Sequence, residues 1–518
     1  MFILAPVLIM LLTALALVLL RFLRPQFKYP WMVAAAGAVL ALIGTFLWHV
    51  RFPQSTSLAP WEPVTVFFYV PVWTADGTSW PYALALSALA VAVIWTAVVR
   101  SESESMPWAG TLTLCALGIL TAAAENPLTL VLTWSIIDLA ELLIMLRSTE
   151  GEDQSRKVVI AFSVRLAGTG LLLWANFASI AAGTPLIFRS VPASVGIYLL
   201  VAAGLRLGVL PLHLPYQKEN VVRRGFGTSL RLVSAATSLV LLARIPPSSL
   251  NSPLTPYLLA LAALTSIYAA WMWVRSSDEI LGRPFWVMGM ASLAIAESLR
   301  GNPMGSLGWG VALILCGGLL FLFSARQRQV LWIPFLGLWG LSTLPFSLNA
   351  SAWLSGSHYS WIFVPPLLIA QALLMTGFLR HCFHPGETSL ESQEKWAKII
   401  YPAGLLLLAG TAILLGVWGW DGAQTIGAWG WAITAVSLAA GFTFLAWKFL
   451  PRMPLRNISN QWLQIFPLGW LYRSLAAIFN FFRRIAEIFT ASLEGDGGLL
   501  WSFLLLVLII SILSTRGQ

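Results

Sequence analysis

Long apolar runs separated by short polar segments dominate the sequence. A run of about 17–25 apolar residues is long enough to cross a bilayer as a helix. The pattern predicts about sixteen such helices, near residues 3–23, 30–49, 81–99, 108–124, 127–146, 158–182, 193–213, 227–245, 253–274, 284–299, 307–325, 330–347, 360–383, 400–419, 427–449 and 498–514. We therefore predict an all-α polytopic membrane protein with 14 to 16 transmembrane helices.

The basic residues between the runs predict an orientation. With the N-terminus outside, 23 lysines and arginines fall in loops on the inner side and five on the outer side. Such an excess is the positive-inside bias of membrane proteins. We therefore predict a multi-pass protein of the plasma (inner) membrane with both termini outside and basic loops in the cytoplasm.

Composition narrows the classes of function. Of the 518 residues, 58% are hydrophobic and only 10% are charged, against roughly 25% charged in soluble domains. The net charge of +10 comes from loops on one side of the membrane, so the lipid bilayer is the expected partner and nucleic acid is not. Cys115, Cys316 and Cys382 are isolated, which predicts neither a disulfide nor a metal site. No nucleotide, haem or cluster motif predicts a cofactor.

Three segments depart from the pattern of short loops. Residues 50–80 contain alternating apolar and polar positions, which predict a small hairpin on the outer side. Residues 384–396 form a polar inner loop. Residues 451–495 alternate bulky apolar residues with arginines, which predicts either an amphipathic helix along the membrane surface or a helix that docks on partner subunits.

A short motif occurs twice, each time late in an apolar run. Leu210-Pro-Leu-His-Leu214 is repeated as Leu344-Pro-Phe-Ser-Leu348, and glycines precede both. We expect Pro211 and Pro345 to break their helices, because proline lacks the N–H that a helix interior needs. Repeated halves with broken helices are typical of secondary transporters, where irregular backbone lines a cavity.

Few ionisable residues lie well inside the predicted spans, and they share a region of four consecutive helices. They are Asp138, Glu141, Arg165, Arg206 and Arg231, with His213 at the end of the seventh span. Charges at bilayer depth are costly and mark ion pathways or buried pairs. We expect a polar axis in which these six residues form a proton path or a set of ion pairs.

Simpler interpretations of the same residues stay open. Asp138 with Arg165 or Arg206 is equally consistent with a static ion pair between helices. Glu141 lies near the inner end of its helix, where it reaches water, and Arg231 is close enough to the end to extend its charge to the interface. His213 alone is typical of an interfacial histidine.

The motifs resemble those of a known family, the antiporter-like membrane subunits of NADH:quinone oxidoreductase (respiratory complex I), multisubunit cation/proton antiporters and membrane-bound hydrogenases. The resemblance is strongest in the run Gly-Leu-Arg206-Leu-Gly-Val-Leu-Pro211-Leu-His213, which looks like the family's lysine helix. Asn126-Pro-Leu-Thr-Leu-Val-Leu-Thr-Trp134-Ser135 is similar to the helix that carries the family's glutamate, and Asp76-Gly-Thr-Ser79 to the start of its third helix.

The departures from the family pattern concern its charged residues. The glutamate falls on Ser135, with Asp138 one turn later, and the first lysine falls on Arg206. The second-half lysine falls on Gly317. Lysine changes its charge readily when buried, whereas arginine stays charged, so Arg206 is expected to bias Asp138 and His213 rather than carry a proton.

The resemblance implies a subunit of a complex-I-type assembly in which proton translocation is coupled to electron transport, with no catalytic centre or cofactor of its own. Two alternatives stay open: a structural subunit without ion conduction, and a subunit of a cation/proton antiporter. The implied partners are other membrane subunits and protons or Na⁺. We expect the chain to divide into N-terminal helices with the hairpin (1–123), a first repeat (124–250), a charge-poor second repeat (251–383), C-terminal helices (384–450), an interfacial segment (451–497) and a last helix (498–518).

Overall fold

A computed structural model describes residues 2–51, 53–59, 69–100, 105–149, 151–214, 224–327, 329–354, 358–420 and 428–449, with nine isolated positions between 473 and 507. The all-α prediction is confirmed: the described part contains fifteen α-helices and two short strands. Most of the predicted interfacial segment and last helix lies outside the described residues. By contacts between Cα atoms the chain divides into two units, Met1–Leu455 and Arg456–Gln518, and only the first is considered below.

Each of the first fifteen predicted spans overlaps one observed helix. The helices are α1 (Ala5–Leu23), α2 (Pro30–Leu47), α3 (Ser79–Thr96), α4 (Ser105–Ala122), α5 (Pro127–Ser148), α6 (Glu152–Ala181), α7 (Gly196–Leu207), α8 (Arg224–Arg244), α9 (Thr255–Arg275), α10 (Glu279–Leu299), α11 (Pro303–Leu322), α12 (Trp332–Leu341), α13 (Val364–Cys382), α14 (Lys395–Trp418) and α15 (Trp429–Phe449). Twelve of the described helices are long and apolar enough to cross a membrane, and α7 and α12 are shorter apolar helices. The chain is a multi-pass membrane protein.

Two short strands lie between α2 and α3. The strands β1 (Gln54–Ser57) and β2 (Val72–Ala75) pair in antiparallel register, with Gln54 opposite Ala75. They place the loop before α3 against the start of α5, because Val72 N donates to the Thr129 hydroxyl over 2.9 Å.

The helices form two sets with matching contacts. In the set α4–α8, α4 packs on α5 and α8, α5 on α6, α6 on α7, and α7 on α8. The set α9–α13 repeats each of these contacts five helices later. An odd number of membrane crossings inverts the second copy relative to the first, which is the architecture of inverted repeats. The helix α4, which the sequence analysis leaves in the N-terminal segment, packs with the first set.

The helices α7 and α12 occupy the same place in the two sets, and both end early. The predicted span 193–213 stops at Leu207, where Gly208 takes a left-handed conformation (φ 75°). The predicted span 330–347 stops at Leu341, and Thr343 and Phe346 follow with positive φ. The backbone freed at the end of α12 is bonded by side chains, because Gln371 Nε2 donates to Leu341 O over 2.9 Å.

The middle of the unit is formed by α8 and α11, which pack on each other. Within an 18-residue apolar stretch of each helix, 94% of the residues are buried in α8 and all are buried in α11, against 17% in α15. Helices such as α1, α6 and α15 instead expose leucine, phenylalanine and tryptophan side chains, as a lipid-facing surface requires. The polar residues described next therefore lie around α8, away from lipid.

Candidate functional site

The five interior charges predicted from the sequence meet between α5, α6, α7 and α8. They form what we call the central cluster: Asp138, Glu141, Arg165, Arg206 and Arg231. Each residue is at most 6% exposed. Glu141 and Arg231 are 2% and 3% exposed and are bound to each other, so neither side chain lies at the surface of the described structure.

Arg206 is bound to Asp138 by a two-pronged ion pair. Its Nη1 and Nη2 donate to the two carboxylate oxygens over 2.5 and 2.8 Å. Its Nε donates to the Ser238 hydroxyl over 3.1 Å, and Nη1 also lies 3.2 Å from the Thr169 hydroxyl. The guanidinium carbon is 4.1 Å from the ring centre of Trp134. This geometry suits the planar fork of arginine and cannot be reproduced by a lysine ammonium group.

Glu141 joins the other two arginines. Arg165 Nη2 donates to Glu141 Oε1 over 2.5 Å, Arg165 Nη1 donates to Oε2, and Arg231 Nη1 donates to Oε1. Arg165 also lies 3.6 Å from Asp138, which connects the two halves of the cluster. The side chains therefore form an alternating row, Arg206–Asp138–Arg165–Glu141–Arg231.

The row holds three guanidinium groups and two carboxylates. Because arginine remains protonated, Asp138 and Glu141 are the members of the row that can take up a proton. A small cavity with about 20 Å³ of room for water borders the row, lined by Asp138, Glu141, Arg165 and Arg231 together with apolar residues of α5 and α6. That volume is enough for one water molecule with polar partners.

His213 and the two prolines lie after the ends of the broken helices. His213 is 3% exposed, and its Nδ1 is 2.8 Å from Pro211 O, so its described hydrogen bond is to the backbone and not to a carboxylate of the cluster. Pro211 and Pro345 lie four residues beyond the last residues of α7 and α12. The assignment of His213 to the ion path stays a prediction, as does that of Pro211 and Pro345 to the helix breaks.

A second group of charges surrounds the start of α8 and was missed by the sequence analysis. This start cluster comprises Arg224, Glu279, Arg326 and Glu387. Arg224 donates to Glu279 Oε1 over 2.7 Å and to Glu387 over 2.8 and 2.5 Å, and Arg326 donates to the same oxygen of Glu279. The cluster joins α8 to α10 and to the loop after α13.

A third group lies at the opposite end of α8. Arg244 Nη2 is 3.4 Å from Asp76 Oδ2, and its Nη1 is 3.9 Å from Glu125 Oε2. Arg244 also donates to the carbonyl oxygens of Ala122 and Ala124 over 3.0 and 2.9 Å. Arginines at both ends of a predicted helix were visible in the sequence, but their carboxylate partners come from distant segments.

The helix α10 carries charges that the sequence-based selection omitted. The predicted span 284–299 begins too late, because α10 begins at Glu279. Arg283 and Glu297 are buried, and Glu297 Oε1 accepts from Arg300 over 2.5 Å while Oε2 accepts from Asn302 over 2.6 Å. Within the described residues, no group of three or more His, Cys, Asp or Glu side chains could hold a metal ion.

We predict that Glu387→Gln destabilises the protein near neutral pH and that the difference disappears in acid, below the lowered folded-state pKa of Glu387. The hydrogen bonds from Arg224 hold the pKa of Glu387 below its ordinary value. A lowered folded-state pKa means that the ionised form stabilises the fold above the unfolded pKa of about 4.3, and that this contribution is lost as the pH falls through the folded value. Because the side chain is half exposed, we expect about 0.5–1 kcal/mol. Thermal unfolding across pH measures the difference, and Glu391→Gln in the same loop is the control.

Comparison with known proteins identifies the fold. The sequence matches no protein-family model and no curated protein. It aligns over its full length with a chain in the structure of the Mrp complex from Dietzia sp. DQ12-45-1b, with a TM-score of 0.72 and 13% identity, and it spans 63% of that longer chain. It also aligns over 98% of its length with a complete chain of the membrane-bound sulfane sulfur reductase, an archaeal respiratory membrane complex, with a TM-score of 0.63 and 14% identity. The protein therefore has the fold of chains from these two membrane complexes.

Proposed function

We propose that the chain is an antiporter-like membrane subunit that moves protons or Na⁺ as part of a multi-subunit complex. The observation that carries the proposal is the buried alternating row Arg206–Asp138–Arg165–Glu141–Arg231 inside the first helix set. Buried charges at bilayer depth are kept where they serve an ion path or a partnered switch. The fold likeness to chains of two membrane complexes supports other membrane subunits as partners.

The finer proposal is a complex-I-type assembly in which electron transfer to quinone drives translocation; it rests on the sequence motifs. In this role Arg206 is a fixed positive charge beside the Asp138 carboxylate. Glu141 has the same relation to Arg165 and Arg231. When a carboxylate of the row takes up a proton delivered through water at the cavity, the row gains one positive charge, and the arginines transmit that change to the other carboxylate.

The test is ion translocation by the assembled complex in membrane vesicles. We expect Asp138→Asn and Arg206→Ala to abolish translocation in complexes that still assemble, and Glu391→Gln to leave it unchanged. Arg206→Lys keeps the positive charge but loses the two-pronged contact, so we expect assembly with altered translocation. Unchanged translocation in both Asp138→Asn and Arg206→Ala would refute conduction through this subunit.

The second candidate function is a structural subunit without ion conduction, and the complete pairing of the carboxylates favours it. Asp138 is held by both terminal nitrogens of Arg206, and Glu141 is held by two arginines. A fully paired row of this kind can hold four helices together without conducting ions. The double variant Asp138→Asn/Arg206→Met distinguishes the candidates: a structural role predicts normal assembly and normal translocation, whereas a conducting role predicts normal assembly without translocation.

A further inference from the structure

Four aromatic rings form a layer across the second helix set. Each ring comes from a different helix: Trp273 from α9, Trp286 from α10, Phe321 from α11 and Phe378 from α13. All four side chains have no solvent exposure. The centre of the Trp286 ring is 5.4 Å from that of Trp273, 6.4 Å from that of Phe321 and 5.9 Å from that of Phe378. We call these four residues the aromatic layer.

The helix backbones are shaped to receive this layer. A Cβ atom added to Gly317 would lie 2.6 Å from Trp286 Nε1, and one added to Gly377 would lie 2.3 Å from Trp273 Cδ1. Real Cβ atoms essentially never make contacts this short, so glycine at these positions allows the indole rings to approach the helices. The Trp286 ring therefore packs directly against the backbone of α11, and the Trp273 ring against that of α13.

The aromatic layer has few polar groups that could form hydrogen bonds with water. Its two N–H groups both donate to backbone carbonyl oxygens, Trp273 Nε1 to Leu374 O over 3.2 Å and Trp286 Nε1 to Leu313 O over 3.3 Å. A buried water molecule needs two to four polar partners. A chain of water molecules is therefore not supported through this part of the second helix set.

The layer separates two polar regions of the second helix set. On one side it borders the start cluster, because Arg224 donates to Phe321 O over 3.0 Å, and it also borders Arg283, whose guanidinium carbon is 5.3 Å from the Phe321 ring centre. Further along the same helices lie Glu297 on α10 and Gln371 on α13, both buried and hydrogen-bonded. Charge at the start cluster thus meets an apolar barrier in the second set.

In the first helix set, charged residues on α8 lead from the start cluster to the central cluster. Arg231 lies seven residues after Arg224 on α8, about 10 Å along the helix, and is bound to Glu141 of the central cluster. We propose that the aromatic layer is a permeation seal, which closes the second helix set to protons and ions and confines their movement to the first set along α8. The movement of ions through the first helix set rests on the proposed function, whereas the seal in the second set does not.

The test is the passive proton permeability of liposomes that contain the purified full-length chain. With a pH gradient and a K⁺ diffusion potential, we expect Trp286→Ser to raise proton entry by about tenfold or more, equivalent to a barrier lowered by about 1.4 kcal/mol. Trp286→Phe keeps an apolar ring and should stay tight. Trp309→Ser is the matched control, because Trp309 is equally buried on α11 but contacts Trp353 outside the layer.

Phe378→Ser provides a second opening of the layer if Trp286→Ser does not fold. Proton entry equal to that of the parent in folded Trp286→Ser and Phe378→Ser would overturn the seal, as would an equal leak in Trp309→Ser.

Trp286→Ser and Phe378→Ser are each also combined with Asp138→Asn. A leak that persists there passes through the second set, as proposed; a leak that disappears passes through the central cluster and refutes the seal while leaving the proposed function intact. Conversely, the seal holds and the function fails if the leak appears but Asp138→Asn and Arg206→Ala leave coupled translocation unchanged.

Discussion

Replacing Glu141 by glutamine is expected to cause a large loss of stability, about 3–5 kcal/mol in the free energy of unfolding. Glu141 is the carboxylate shared by Arg165 and Arg231, and all three residues are at most 6% exposed. The substitution leaves guanidinium groups without their counter-charge in a low-dielectric interior. Thermal unfolding of the purified chain in detergent measures the effect, and we expect most of the protein to aggregate at growth temperature.

A rescue variant separates loss of charge balance from loss of packing. Adding Arg231→Met to Glu141→Gln removes one of the uncompensated charges and keeps a side chain of similar length, so it should restore a large part of the lost stability. Glu391→Gln, in an exposed loop, is the control for removing a carboxylate. If the double variant were no more stable than the single one, the charge-balance account of the central cluster would be wrong.

Replacing Gly317 by lysine is expected to have the second large effect. The new side chain would start 2.6 Å from Trp286 Nε1, inside the aromatic layer. Forcing extra atoms into a packed core costs about 1–3 kcal/mol, and an uncompensated buried charge adds about 3–5 kcal/mol. The expected result is failure to accumulate in the membrane, measured by expression and by the melting temperature of any purified protein.

Alanine substitutions separate the steric cost of Gly317→Lys from the cost of its buried charge. Gly317→Ala carries the steric part alone and should lower the melting temperature clearly. Gly410→Ala on α14 is the matched control, because a Cβ there meets no atom within 4 Å; it should be neutral or stabilise by up to about 1 kcal/mol, since alanine is the better helix former. A stable Gly317→Lys protein would mean that the layer can open to admit a charge.

The three charge clusters connect α8 to several other segments of the molecule. The helix has Arg224 at its start, Arg231 in the first half of its length and Arg244 at its end, and each is bound to carboxylates from other segments. These contacts join α8 to α5, to α10 and to the loop before α3. A displacement of α8 would therefore change ion pairs at both ends of the helix at once.

The sequence alone determined the membrane class, fifteen of the described helices and the residues of the central cluster. It could do so because the thickness of the bilayer sets the length of an apolar run, and because charges are rare enough inside such runs to stand out. Asp138, Glu141, Arg165, Arg206 and Arg231 were all identified in this way, and the structure brings all five together.

Only the tertiary structure decided which charges pair and where the second helix set is closed. Whether Asp138 binds Arg165 or Arg206 depends on how α5, α6 and α7 are rotated about their axes, which apolar patterning does not specify in helices that are apolar on most faces. Glu279 was missed because it lies at a helix end, where sequence cannot separate a solvated charge from one buried by Arg224 and Arg326. In the same way, nothing in the sequence placed Trp286 opposite Gly317, since that contact joins two helices whose packing angle is set by the whole bundle.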